Sequence, residues 1–444
     1  MSQDLVVIPL GIFGVCFLAI QLSRKKIDAW QGALSILVIA LAAAGSSYAL
    51  PALYMVMVRV FAGCLLLFLI LKEPRQKELG TASRWLFGSL WACLGVGFAS
   101  VVWSHKVSET LGHALMLALL VLILQEGSRR RWVSPEAIIS DLKVFYWVAF
   151  PLLGSGVLLY ALAVDSAVGH QGRLTGVFTN ANMLGYLSIV FAVAGVALWV
   201  ETRRILYLLT AFILVATGIL SESRTALIAL TVGLVWIFAG LTVVRKLYVV
   251  WAILLLFALW YSFVLLGVFS PLELDAGVLG RFLEDDRDDS LSGRSAIWAF
   301  AVGTAIQTRI GVGFGAAPDY LVEVGSSSLV LDTGSAHSSV IQWFLETGLV
   351  GAAPMFALLT VCFVIIFRTA LASKSFARPL SGVAVAALVT QVTESMIFGT
   401  GQIYPWIFWM TVAWLGVLSG QLRTRGENYV QRLQKDSRFG NRVS

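Results

Sequence analysis

Apolar residues run along this chain in long blocks, and short polar stretches separate them. A bilayer span needs about 20 apolar residues. Thirteen candidate runs are present, near 5–22, 31–49, 52–72, 84–103, 110–125, 144–164, 182–200, 205–220, 225–243, 247–270, 339–367, 380–398 and 403–420. The pattern predicts an all-α polytopic membrane protein of about 12–13 helices, because backbone polar groups in lipid must bond within their own helix. Pro51 lies between two closely spaced runs and makes the count there ambiguous. The first run has no basic leader and is followed by Arg24, Lys25 and Lys26 in place of a small-residue cleavage site, so it is expected to be a retained span.

Four regions follow from the pattern: N-terminal spans over 1–270, a large loop over 271–338, C-terminal spans over 339–420, and a basic tail over 421–444. No solenoid period appears, nor an inverted repeat of the transporter kind. The large loop carries ten Asp or Glu against four Arg. It contains an amphipathic stretch at 295–310, expected to be a helix at the membrane surface. A loop this long is seldom idle.

Composition agrees with the pattern. The chain is 58% hydrophobic and 13% charged, whereas soluble domains carry about 25% charged residues. The net charge of +7 is not a nucleic-acid footprint, because of where it sits. Basic clusters at 24–26, 72–84, 129–131, 203–204, 245–246, 368–378 and 423–442 all fall in alternate loops. Lys and Arg collect on the cytoplasmic side, so the N-terminus is expected outside and the tail inside. The tail's basic residues suit a topology anchor or anionic lipid heads. Cys16, Cys64, Cys93 and Cys362 lie in apolar runs with no CxxC pair, which indicates small hydrophobes and neither zinc nor a disulfide framework.

The outward loops carry the candidate chemistry. Arg173 (HQGRLTGVFTNAN), Arg224 (SESRTAL) and Arg294 (LSGRSAIW) stand close to outer membrane boundaries. Each alone suits a snorkelling or paired arginine. Together they suit a lipid-linked pyrophosphate, since guanidinium forks match phosphate oxygens. Glu222 is placed to orient Arg224 or to pair with it. His337 ends the large loop, and histidine is the side chain best suited to take a proton near neutral pH. His105, His113 and His170 are expected in structural or solvated roles. Glu394 lies near the outer end of a span, where a carboxylate is a functional suspect. The GVGFG run at 311–315 reads as a flexible turn, since no Lys-Ser or Lys-Thr follows it. The acidic run at 285–289 reads as a solvated edge.

His337 and Ser338, then nine residues, then Gly348-Leu-Val-Gly351 resemble the histidine motif of the O-antigen ligase and polymerase superfamily. SESRTAL and LSGRSAIW resemble its arginine motifs, and RLTGVFTNAN resembles a further one. The likeness runs from about residue 80 to 420 and is greatest to the ligases. It implies a GT-C-type glycosyltransferase in the bacterial inner membrane, typically of twelve spans, with its site facing the periplasm and no metal, cofactor or nucleotide sugar. The implied donor is undecaprenyl-diphosphate-linked O-antigen, and the implied acceptor is lipid A–core oligosaccharide. His337 would be the base, Arg224, Arg294 and Arg173 the diphosphate ligands, and Glu394, Glu222 and Ser338 their support. An O-antigen polymerase and an O-linked protein oligosaccharyltransferase are the neighbouring readings. A lipid-linked oligosaccharide transporter is the reading from another class.

Overall fold

A computed structural model describes residues 28–43, 52–162, 164, 167–169, 172–239, 294–325, 335–372, 376–392, 394–395, 397–399 and 401–440. The expected spans at 5–22 and 247–270, Cys16, His170 and the acidic run at 285–289 lie outside the described residues. The helices are α1 (Ala29–Ala43), α2 (Ala52–Lys72), α3 (Thr81–Ala99), α4 (Val107–Arg130), α5 (Pro135–Ala161), α6 (Ala181–Thr202), α7 (Ile205–Leu220), α8 (Arg224–Ala239), α9 (Arg294–Thr308), α10 (Ala317–Gly325), α11 (Ser339–Ala372), α12 (Ala377–Thr390) and α13 (Ile403–Gly440). Among the described residues the only β pairing is an isolated bridge between Val168 and Leu174. Six stretches there are long and apolar enough to cross a membrane: Thr81–Val102, Val107–Arg130, Pro135–Ala161, Ala181–Thr202, Ser339–Leu371 and Ile403–Gln421. Shorter apolar helices accompany them. The protein is an all-α, multi-pass membrane protein.

Helix α6 is the centre of the bundle. Nearly all of its apolar stretch is buried, as expected of a helix that is hydrophobic all round. Helices α5, α7, α8 and α12 pack against it. A second group joins α11, α13, α3 and α4, and α1 and α2 pack along α5 and α4 respectively.

The basic loops gather at one end of this bundle. Arg131 links the end of α4 to Asp28 before α1 (2.8 Å), Glu73 after α2 (3.2 Å) and Asp141 of α5 (2.8 Å). Gln421 of α13 donates to the Val133 carbonyl beside them (2.9 Å). The other ends of α3 to α8 and α11 to α13 therefore lie away from the basic end, and the candidate site residues are there.

Two expectations change. The apolar run at 380–398 is not one helix: α12 stops at Thr390, and the described residues between 391 and 399 are irregular. Its last carbonyls find partners outside the helix, which lets it end while buried. The Tyr404 hydroxyl of α13 donates to the Ala387 carbonyl, and Ser339 N–H donates to the Gln391 carbonyl (3.1 Å). Glu394 is thus a loop residue. Cys93 and Cys362 are buried as expected, but Cys64 is exposed on α2.

Candidate active site

His337 stands two residues before α11 with φ +48°, a left-handed conformation uncommon for a side chain of this size. The Ser335 hydroxyl accepts from its backbone N–H (3.1 Å). The next residues stitch this segment to the irregular loop after α12. Ser338 N–H donates to Ser395 Oγ (2.8 Å). Ser339 Oγ donates to Gln391 Oε1 (2.6 Å), has the Glu394 carbonyl 3.0 Å away, and accepts from Ile397 N–H (3.0 Å). The result is a pair. His337 Nδ1 lies 3.8 Å from Glu394 Oε2, with the two side chains 21% and 8% exposed. Nδ1 is buried and has no hydrogen-bond partner.

The glycine motif that follows is explained by the same segment. Gly348 interrupts α11 with φ 62° and ψ −154°, a region essentially closed to side chains. The opened turn leaves the Leu345 and Glu346 carbonyls to accept from Val312 N–H (3.0 Å) and Gly313 N–H (2.8 Å). Leu349 N–H donates back to the Arg309 carbonyl (2.8 Å). The GVGFG run is accordingly a docked connector, and not the flexible turn expected from its composition.

Helix α9 does form, over the amphipathic stretch, and it packs on α11. Its core with α10 and α11 comprises Ile297, Ala301, Val312, Ala317, Leu321 and Leu345. Trp298 Nε1 donates to the Ala336 carbonyl, next to His337 (2.8 Å). Arg294 is the first residue of α9, four positions and about 6 Å along the axis before Trp298.

Arg224 opens α8 after a tight turn and is exposed. Glu222 in that turn has φ +52°. Ser223 Oγ accepts from Ala226 N–H (3.4 Å), a weak N-cap. Arg173 braces the turn: its Nε and Nη2 both donate to the Ser221 carbonyl (3.0 and 2.9 Å), and Nη2 also donates to Asn182 Oδ1 of α6 (2.5 Å).

The turn and the His337–Glu394 pair flank the same helical turn of α6. Gly185 packs against Ser221 and Ser223. Tyr186, beside it, lies within electrostatic range of Glu394 and stacks edge-on with Tyr404. Their depths also agree. Trp236 Nε1 of α8 donates to Ser381 Oγ of α12 (2.8 Å). From that bond, Arg224 is about 18 Å along α8 and the end of α12 about 14 Å along its own axis, in the same direction. His337, Glu394 and Ser338 are in direct association; Arg224, Glu222 and Arg173 form a second group at that level.

His105 and His113 hold structure. His105 Nε2 bonds Glu323 Oε2 of α10 (2.7 Å). His113 Nδ1 bonds the Glu109 carbonyl (2.9 Å) and packs on Phe314. Sequence reasoning passed over Arg59. It lies in α2, is half-buried, and its Nη1 donates to the Gly401 carbonyl (2.6 Å). An ionisable residue in an apolar run was the available signal.

These features define a class: a multi-pass α-helical membrane protein that gathers histidine, carboxylate and arginine side chains at the end away from its basic loops. A family model described as O-Antigen ligase matches residues 209–356, as expected of a member of the O-antigen ligase superfamily. The matched segment holds Arg224, Arg294 and His337. No curated protein matches the chain.

Proposed function

We propose that this protein transfers O-antigen from undecaprenyl diphosphate to a sugar hydroxyl of lipid A–core oligosaccharide, at the periplasmic face of the bacterial inner membrane. The observation that carries the reading is the His337–Glu394 pair, 3.8 Å apart. It stands at the end away from the basic loops, with its histidine inside the segment matched by the O-Antigen ligase family model.

The acceptor hydroxyl is a poor nucleophile, and His337 takes its proton as general base. The new bond forms between that oxygen and the anomeric carbon of the donor. The bond from the anomeric carbon to the diphosphate oxygen breaks, the diphosphate leaves with its electron pair, and the configuration inverts. Glu394 orients the ring and steadies the imidazolium that forms, as buried carboxylates do for catalytic histidines. Arg224 and Arg294 bind the diphosphate and offset its developing charge. Arg173 fixes the turn that presents Arg224 and adds its own charge beside it. Glu222 and Ser338 hold the two backbone turns in place. The reaction proceeds without a bound metal.

The test is transfer by the purified protein from a defined lipid-linked donor, with EDTA present, to lipid A–core, to a second lipid-linked repeat, or to a peptide. Lipid A–core is the expected acceptor; use of either alternative in its place identifies a polymerase or a protein transferase. His337→Ala is expected to lower the rate about 10²–10⁴-fold, and Arg224→Ala about 10²–10³-fold. Normal transfer by both variants, at matched protein levels, refutes the assignment.

A further inference from the structure

Arg59 is a cation inside an apolar helix, and its place in the fold gives it a use. Lys72 ends α2 at the basic end. Arg59 lies thirteen residues before it, about 20 Å toward the opposite end, in a hydrocarbon layer about 30 Å thick. The surrounding turns of α2 face outward. Val56, Met57, Val58, Val60 and Phe61 are all exposed, while Ala62, Leu66 and Ile70 are buried against the bundle. Arg59 is the half-buried position within that exposed stretch. Its guanidinium turns away from the lipid side and bonds the Gly401 carbonyl.

Gly401 is shaped for this approach, since a Cβ there would sit 2.7 Å from Nη1. It belongs to the chain that connects Glu394 to α13. Several described residues of that connection are held in place. Ser395 bonds Ser338, the Ile397 carbonyl accepts from Trp409 Nε1 (2.8 Å), and Phe398 packs on Trp343 with ring centroids 4.4 Å apart. This connection therefore has the carboxylate that faces His337 at its start and the Arg59 guanidinium bonded near its end.

We propose that Arg59, where it meets Gly401, forms a lateral-access subsite for the phosphate headgroup of a lipid substrate, between α2 and the loop that carries Glu394. It rests on the reading of the substrates as phosphorylated lipids. A guanidinium at a dry boundary binds phosphate oxygens in a planar fork. Arg59 stands among exposed side chains of α2, whereas the turn at 221–224 packs on the buried α6. The ligand class is a lipid phosphate or diphosphate, and both the donor and the acceptor carry that chemistry.

The experiment is equilibrium binding to the full chain in phosphatidylcholine nanodiscs. The probes are undecaprenyl diphosphate, bisphosphorylated lipid A, and undecaprenol as the uncharged control. Arg59→Gln is expected to weaken one phosphorylated probe at least tenfold, leave undecaprenol unchanged, and raise the KM for the matching substrate with kcat within twofold. Arg59→Lys keeps part of the affinity. Gly401→Ser, which displaces the guanidinium, moves in the same direction as Arg59→Gln. Loss confined to undecaprenyl diphosphate assigns the subsite to the donor, and loss confined to lipid A assigns it to the acceptor. Affinity for both probes within twofold of wild type, in folded Arg59→Gln and Arg59→Lys proteins, overturns the proposal. Binding needs no turnover, so the two readings fail separately. A wild-type protein without transferase activity whose diphosphate affinity still depends on Arg59 would lose the ligase reading and keep this one.

Discussion

The two ends of the bundle treat buried charge in opposite ways. At the basic end, Asp141 is fully buried and accepts from Trp30 Nε1 (2.8 Å), Trp132 Nε1 (2.9 Å), Gln31 Nε2 (3.2 Å), and Nε and Nη2 of Arg131 (2.8 and 2.9 Å). Burial works against the Arg131 charge. Hydrogen bonding and attraction from Asp141, then from Asp28, outweigh it and hold the guanidinium pKa above its ordinary value. At the opposite end, His337 Nδ1 has a carboxylate at 3.8 Å and no hydrogen bond, on a left-handed backbone. A fully bonded charge cluster fixes how helices meet. A close pair that is not closed by a hydrogen bond, on strained backbone, is what a proton-transfer site looks like before its substrate arrives.

The largest expected effect breaks the basic end. Removing one partner of a buried, hydrogen-bonded ion pair costs about 3–5 kcal/mol. Asp141→Ala is expected to lose that much stability, because it removes the buried partner of Arg131 and leaves two indole N–H groups without their acceptor. The measurement is thermal unfolding in detergent, together with the turnover of the fraction that remains folded. A lower melting temperature with normal turnover per folded molecule supports the division between the ends. A normal melting temperature with lost turnover would reverse it.

A smaller effect is expected where the site joins the large loop. Gly348→Val places a side chain in a backbone region that costs about 1–3 kcal/mol, and directs it at the Arg309 carbonyl. The expected signature is local: faster hydrogen exchange at the Val312 and Gly313 amides, whose partners are the opened α11 carbonyls. Exchange near Asp141 should stay as in the wild type. Unchanged protection at Val312 and Gly313 would mean that the α11 opening does not dock the loop.

Different physics made these features more or less legible in the sequence. Spans such as 52–72 and 205–220 coincide with α2 and α7 because continuous apolar character survives folding. The alternation of basic clusters located one end of the bundle for the same reason. The end of α12 was hidden, since 391–398 carries no Gly or Pro to break a helix, and the partners of the Ala387 and Gln391 carbonyls, which accompany the stop at Thr390, come from distant segments. Glu394 was therefore suspected for its chemistry but placed on the wrong kind of element. His337 and Gly348 stood out as a spaced motif. The left-handed histidine and the opened turn of α11 are consequences of packing that no local pattern announces. Arg59 was visible as a charge in an apolar run, but its partner Gly401 lies 342 positions away.

The mildest change tests the pair itself. Glu394→Gln keeps the shape and the backbone bonds of the loop, including the Glu394 carbonyl near Ser339 Oγ, and removes only the negative charge beside His337. If the carboxylate steadies an imidazolium formed during proton transfer, kcat is expected to fall about tenfold, equivalent to about 1.4 kcal/mol. KM and melting temperature should change little, because the charge matters mainly after the proton has moved. Glu394→Asp is expected to recover part of the loss. If Glu394 instead serves only to anchor the loop, the Gln variant should lower the melting temperature and leave the kcat of folded enzyme intact. That outcome would return the chemistry of this end to His337 and the arginines alone.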